Sequence, residues 1–255
     1  MIDIHCHILP GIDDGAKNIE DSMLMAKEAV REGIHTIIAT PHHKNNQYEN
    51  EKRAILEHVS HLNKYLENEG IPLTILPGQE NRIYGEIITD YLSGGKILPL
   101  AESSYLFIEF PSGSVPRYAE RLLYELQTEG LIPIIVHPER NQEINENPDL
   151  LYKFVNNGAL TQVTAGSVCG YFGKNIKKFS RQLIEANLTH FIASDAHNVR
   201  NRTFKMVEAM EQIEKSYGLD MVYLFRENAE LLVENKNVYK EIPEKVQRKK
   251  FLGLF

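Results

Sequence analysis

The feature that most constrains this chain is a regular alternation of short apolar runs with longer amphipathic stretches. Runs 2–6, 35–40, 73–76, 105–110, 132–136, 160–164 and 189–193 are strand-like. The segments near 19–32, 49–69, 85–91, 115–129, 148–157 and 175–187 read as helices, and 203–217 and 220–234 follow as two more. This order predicts an α/β fold whose sheet is parallel and joined by crossover helices. Most of the runs are continuously apolar, as strands buried on both faces are. Seven strand–helix units predict a closed or nearly closed (β/α)7 barrel. An open doubly wound sheet announces itself with a glycine-rich phosphate loop after its first strand, and none is present. No proline- or serine-rich linker divides the 255 residues, so 1–255 reads as one barrel domain with 245–255 as a C-terminal tail.

The residues at the strand ends point to chemistry. Strand one ends in His5-Cys6-His7, with Asp13-Asp14-Gly15 close behind. Strand two ends in Thr40-Pro41-His42-His43, and strand three leads into Gly78-Gln79-Glu80. Strand four ends at Glu109, strand five at His137-Pro138-Glu139-Arg140, and strand seven at Ser194-Asp195-Ala196-His197. In a barrel of parallel strands all C-terminal ends lie on one face, where active sites are built. Residues more than a hundred positions apart therefore converge there. A lone strand-end histidine or aspartate usually caps or packs; six of seven strands ending this way do not fit that reading.

His5 and His7 lie two apart on a strand, so both point to the same side and can reach one ion. Asp195 and His197 repeat the spacing. Imidazole and carboxylate donors without thiolate favour Mn²⁺, Fe²⁺ or Zn²⁺. There are too many candidates for one tetrahedral ion, which suggests two or three metals bridged by a carboxylate. Such a cluster supplies a hydroxide and clamps the oxygens of a phosphate. Arg140 and Arg202 follow metal-binding segments and suit phosphate oxygens. Cys6 alternates with the two histidines and should point into packing. Neither Cys6 nor Cys169 has an arginine six residues later, so a cysteine nucleophile is not expected.

Together these motifs resemble the polymerase and histidinol phosphatase (PHP) family over essentially the whole chain. They look most like that family's bacterial protein-tyrosine phosphatases, encoded beside capsule or exopolysaccharide genes. The resemblance implies a distorted barrel of the PHP type with a trinuclear centre, usually assayed with manganese. It implies one metal on His5, His7, Glu80 and Asp195, a second on Glu80, Glu109 and His137, and a third on Asp14, His42 and His197. The adjacent Asp13 and Asp14 compete for the last carboxylate position. Arg140 and Arg202 would hold the substrate phosphate, which a metal-bridging hydroxide would attack. The implied substrate is phosphotyrosine in the tail of a bacterial tyrosine kinase that controls polysaccharide export.

Rival readings are a phosphatase of a small metabolite such as histidinol phosphate, an amidohydrolase, and a binding module that keeps the fold. Amidohydrolases often bridge their metals with a lysine, and no lysine ends a strand here. The formal net charge of −7 argues against a general affinity for nucleic acid. Two cysteines make no disulfide framework, and no run approaches the length of a membrane span. With no basic-then-apolar leader at the N-terminus, a cytoplasmic enzyme is expected. The basic and apolar tail near Lys245 invites two readings, packing on the barrel or weak membrane attachment.

Overall fold

The computed structural model of the chain describes residues 1–247. Among them, nine strand segments form: β1 (Ile2–Cys6), β2 (Thr36–Ala39), β3 (His42–His43), β4 (Thr74–Pro77), β5 (Glu80–Arg82), β6 (Tyr105–Glu109), β7 (Ile132–Val136), β8 (Leu160–Thr164) and β9 (Phe191–Ala193). The helices are α1 (Ile19–Arg31), α2 (Lys52–Asn68), α3 (Ile87–Leu92), α4 (Ala119–Thr128), α5 (Gln142–Glu146), α6 (Asp149–Asn156), α7 (Ala165–Cys169), α8 (Lys174–Glu185), α9 (Met206–Tyr217) and α10 (Leu219–Val233). The short α5 and α7, after β7 and β8, are additions to the expected set.

Every strand pair is parallel. One ladder runs β1–β2–β4 and the other β3–β5–β6–β7–β8–β9. The ladders are two parts of one ring. β2 continues into β3 across Thr40 and Pro41, and β4 into β5 across Gly78 and Gln79. On the far side, Asp195 N–H donates to the His5 carbonyl (2.9 Å) and His7 N–H to the Ala196 carbonyl (2.9 Å), joining the end of β9 to β1. The result is a distorted barrel with seven strand positions, two of them interrupted.

The interruptions correct the expectation that the second and third strands simply end at Pro41 and at Pro77-Gly78. Proline has no N–H to continue a ladder. At Gly78 a Cβ would lie 2.6 Å from Ile38 Cγ2 and 2.9 Å from Leu100 Cδ2, so the backbone there passes too close for any side chain. Each strand breaks, shifts and resumes. The resumed pieces place His42 and Glu80 in direct register.

Alternate strand positions feed two apolar clusters. Leu106, Ile108, Ile135, Val163 and Ile192 pack with helix residues such as Met25, Leu62, Leu126 and Leu183. Tyr105, Phe107, Ile134, Val136 and Phe191 form the other cluster, with Ala229 and Leu232 of α10. Burial on both faces explains the unbroken apolar runs. Helix α1 shows the local logic: the Asn18 side chain caps it by accepting from Asp21 N–H (2.9 Å), and Met25, Ala26 and Ala29 form its buried face.

No helix among the described residues is long and apolar enough to cross a membrane. The start of the tail packs on the barrel. Lys245 Nζ lies 3.4 Å from Asp149 and over the Tyr152 ring, and Val246 is buried. The rest of the expected tail contact, Arg248 to Phe255, lies outside the described residues.

Candidate metal centre

The strand ends gather their side chains as the barrel rule requires. Their ligand atoms fall into three overlapping groups: His5, His7 and Glu80; His42, Glu80 and Glu109; and His7, Asp14, His42 and His197. Glu80 is the hub. It is fully buried, with Oε1 2.8 Å from His137 Nε2 and Oε2 2.8 Å from His42 Nδ1. Oε2 also lies 3.5 Å from His5 Nε2 and 3.4 Å from His7 Nε2. Asp195 faces the same pair, with Oδ1 3.5 Å from His5 Nε2 and 3.4 Å from His7 Nε2.

The histidines are oriented from behind. His5 Nδ1 donates to Gln162 Oε1 (2.9 Å), His7 Nδ1 to Asp13 Oδ2 (2.7 Å), and His197 Nδ1 to the Asp195 carbonyl (2.9 Å). A proton held at each Nδ1 leaves the Nε2 lone pair pointing into the site, the arrangement of metal-binding imidazoles. The Nε2 atoms of His5 and His7 then sit only 3.3 Å apart. At that distance the two nitrogens can share one proton or one cation.

Asp13 and Asp14 separate by direction. Asp13 is buried behind His7 and also accepts from Gly15 N–H (2.9 Å). Asp14 Oδ1 lies 3.3 Å from His42 Nε2 and 3.4 Å from His197 Nε2, on the ligand side. Gly15 makes this turn fit, because a Cβ there would fall 2.0 Å from the His7 carbonyl oxygen. Two further site residues, His137 (φ 34°) and Asp195 (φ 51°), hold left-handed backbone conformations. Such strain costs about 1–3 kcal/mol each and collects where function requires a particular aim.

The electrostatics describe a site short of positive charge. Burial works against charging His42, but Glu80 and Asp14 on its two sides outweigh it and lift its pKa to about 10. Burial likewise opposes a charged His7, yet Asp13, Asp195 and Glu80 raise it well above its usual value. Burial and the neighbouring Glu80 push Glu109 up to about 7. Burial and Arg140 depress His137 to about 3, and burial and His7 depress His197 to about 4. Buried Glu80 Oε2, Glu109 Oε2, His42 Nδ1 and His197 Nε2 have no partner in hydrogen-bond geometry, despite the short approach of Glu80 to His42. Inward lone pairs, clustered carboxylates and orphaned polar atoms fit divalent cations.

Both expected arginines reach the cluster. Arg140 Nη1 lies 2.7 Å from Asp195 Oδ2, and its guanidinium sits 5.3 Å from the Phe172 ring centre. Arg202 Nη2 lies 3.1 Å from Asp195 Oδ2 and Nη1 3.6 Å from Asp14 Oδ2. Each guanidinium has five N–H groups, so donors remain for a phosphate. Arg200 is exposed. Cys6 points away into the apolar packing, where burial and nearby aspartates raise its pKa well above the usual thiol value.

Gln162 and Arg82 have roles here that no strand-end signal marked, and Asp13, a competing ligand candidate, has an orienting role instead. Gln162 orients His5 from β8, and Asp13 orients His7. Arg82 on β5 places Nη2 3.1 Å from Glu109 Oε1 and donates Nη1–H to the Phe110 carbonyl (2.9 Å). Gln162 lies in a strand, Leu160–Thr164, that also carries two threonines, so its polarity there did not single it out.

Known proteins resemble this chain closely. The chain is 55% identical to the tyrosine-protein phosphatase YwqE of Bacillus subtilis over 255 residues, all of both chains. It is 41% identical to the CapC protein of Staphylococcus aureus, again over all of both. A crystal structure from a study of YwqE from Bacillus subtilis and CpsB from Streptococcus pneumoniae, described there as unique metal-dependent tyrosine phosphatases, superposes with a TM-score of 0.95. That match has 55% identity and covers 97% of this chain and all of the other. Residues 1–234 match the family described as capsular polysaccharide synthesis, CpsB/CapC. The chain therefore belongs to the CpsB/CapC family of capsular polysaccharide synthesis proteins.

Proposed function

We propose that this chain is a metal-dependent protein-tyrosine phosphatase. The observation that carries the reading is the position of Glu80, a buried carboxylate facing His5, His7, His42 and His137 at once. A carboxylate so placed could serve as a ligand shared by two cations. The likeness to YwqE, CapC and CpsB supplies the substrate class.

In this reading His5, His7, Asp14, His42, Glu80, Glu109, His137, Asp195 and His197 would hold two or three ions, Mn²⁺ by preference. When bound, such ions lower the pKa of water and offset the charge that develops on phosphoryl oxygens. The chain's own residues do the rest. Arg140 and Arg202 turn their free N–H groups to the phosphate oxygens and fix its orientation. Asp13 and Gln162 keep His7 and His5 aimed. Hydrolysis joins a water oxygen to phosphorus and breaks the bond to the phenolic oxygen, which leaves as tyrosine once protonated. Phenolate is a good leaving group, so the reaction has little need of a general acid. His42 and His197, committed as ligands, would not provide one. That favours aryl over alkyl phosphates.

The reading extends to a bacterial tyrosine kinase tail as the physiological substrate, within polysaccharide synthesis. It takes 1–255 as one PHP-type barrel domain with a tail at 245–255. A cytoplasmic location accords with two free cysteines, Cys6 and Cys169. The test is kcat/KM with added Mn²⁺ for matched phosphotyrosine and phosphoserine peptides and for histidinol phosphate. Preference for the phosphotyrosine peptide is expected; preference for histidinol phosphate would replace the signalling assignment with a metabolic one.

A further inference from the structure

Beside the metal centre lies a cavity of about 250 Å³, lined by Glu109, Phe110, Ser112, Val136, His137, Pro138, Arg140 and Asn141. Three of these belong to the site already described: Glu109 and His137 from the ligand set, and Arg140 from the phosphate-facing pair. The remaining wall is formed by Phe110, Val136 and Pro138, all buried, together with Ser112 and Asn141. The cavity therefore runs directly from the reacting centre onto an apolar surface.

Its walls are tied together. The buried Asn141 donates from Nδ2 to the Pro111 carbonyl (2.7 Å) and the Ser114 carbonyl (3.1 Å). Gln142 N–H donates to the Ser112 carbonyl (2.8 Å), and Val115 N–H donates to Glu143 Oε2 (2.7 Å). The loop after β6 is thus fastened to the start of α5, which follows β7. These bonds tie together the two segments that line the cavity, so an occupant meets preformed walls. Arg140 stands at the boundary. Its guanidinium touches Asp195 on the metal side, while the residue also lines the cavity.

We propose that this cavity is the subsite for the aryl group of the substrate, the phenyl ring of a phosphotyrosine whose phosphate lies between Arg140 and the metal ligands. The inference rests on the tyrosine-phosphatase reading above. Flat aromatic groups gain most from burial against apolar walls of this kind. A phosphoserine side chain, shorter and without a ring, makes fewer contacts with these walls. The cavity then adds selectivity in binding to the advantage of phenolate as a leaving group.

Ser112 is the position to test, because it lines the cavity, is exposed, and ligates nothing. Ser112→Val and Ser112→Phe fill the space by degrees. The measurements are kcat and KM for a phosphotyrosine peptide, the inhibition constant of inorganic phosphate, and bound manganese per chain. The expected result is a KM that rises with side-chain size, with kcat/KM for Ser112→Phe lowered about tenfold or more. Inorganic phosphate, which has no ring, should inhibit all three proteins equally, and metal content should be equal. Equal inhibition and metal content would also show that the variants are folded. An unchanged KM in Ser112→Phe would overturn the subsite, as would a parallel loss of phosphate inhibition. A wild-type protein without phosphotyrosine turnover would overturn the tyrosine-phosphatase reading itself, and the subsite with it.

Discussion

Asp13 Oδ2 lies 2.7 Å from His7 Nδ1, on the side of the imidazole opposite the cluster. This contact keeps the Nδ1 proton in place and turns Nε2 toward His5, Glu80 and Asp195. Its neighbour Asp14 faces inward instead, toward His42 and His197. The two substitutions should therefore differ in kind. Asp13→Ala is expected to weaken Mn²⁺ binding by about 10- to 100-fold, the usual cost of losing a residue that orients a ligand. Saturating Mn²⁺ should restore much of its activity. Asp14→Ala removes a donor, and excess metal should not restore it. Metal titration followed by calorimetry, with activity at each loading, distinguishes them; identical behaviour would mean that the two carboxylates do not divide the work.

Ligand deletion is a blunter test. His7→Ala or Asp195→Ala should bring phosphatase activity to background while far-ultraviolet circular dichroism stays like wild type, because little core packing is lost. Elemental analysis after Mn²⁺ loading should find several ions per chain in the wild type and fewer in either variant. A wild type that holds no metal after loading would dismantle the proposed centre. Arg140→Ala keeps the nine ligands, so its metal content should hold while kcat/KM falls by about a hundredfold or more. Cys6→Ser should remain active, since that side chain faces apolar packing.

Proton release is set by the same charges. Without cations, His42 keeps its proton up to about pH 10, and the His7 pKa is raised well above its usual value. Both are above the ordinary histidine value, so the folded apo protein carries those protons through neutral pH. A cation must displace them. Binding should therefore strengthen as pH rises and weaken as it falls, by up to about tenfold per pH unit for each proton released. The same sign holds for apo stability: the favourable contribution of His42 is complete below about pH 6.5 and is lost as pH climbs through about 10. Titrations of Mn²⁺ at two pH values, in buffers of different ionisation enthalpy, count the protons directly. Affinity independent of pH would contradict the assigned proton positions.

Much of this was legible in the chain because two simple rules apply to it. Continuous apolar runs mark strands buried on both faces, and a parallel barrel collects all strand ends on one side. His5, His7, His42, Glu80, Glu109, His137, Asp195 and His197 follow from those rules as strand-end residues. β3 and β5 do not, because strands of two and three residues such as His42–His43 and Glu80–Arg82 contain no apolar run. Their existence depends on the breaks at Pro41 and Gly78. Asp13 and Asp14 are indistinguishable by type and position until the turn at Gly15 is pressed against His7. The β8 strand was the exception among strand ends, with no expected ligand. Its contribution is Gln162, which faces His5 from within the strand.

Arg82 supplies the last prediction. Glu80 and Glu109 lie close enough for one cation to take an oxygen from each, and burial with the charge on Glu80 raises Glu109 to about 7. Arg82 opposes that rise from 3.1 Å, while its second nitrogen is anchored on the Phe110 carbonyl. It therefore holds Glu109 Oε1 and leaves Oε2 facing His42. Removing it should leave Glu109 more often protonated at neutral pH and less firmly aimed. In Arg82→Ala the most weakly held Mn²⁺ should bind about 10- to 100-fold less tightly. The loss should shrink as pH rises above 7, because alkaline solution ionises Glu109 without help. Arg82→Lys keeps the charge but not the two-pronged geometry, so it should recover part of the affinity and the wild-type pH profile. Calorimetric titration of all three proteins at pH 6.5 and pH 8.5 tests this; a defect in Arg82→Ala of equal size at both pH values would assign Arg82 to packing and not to the ionisation of Glu109.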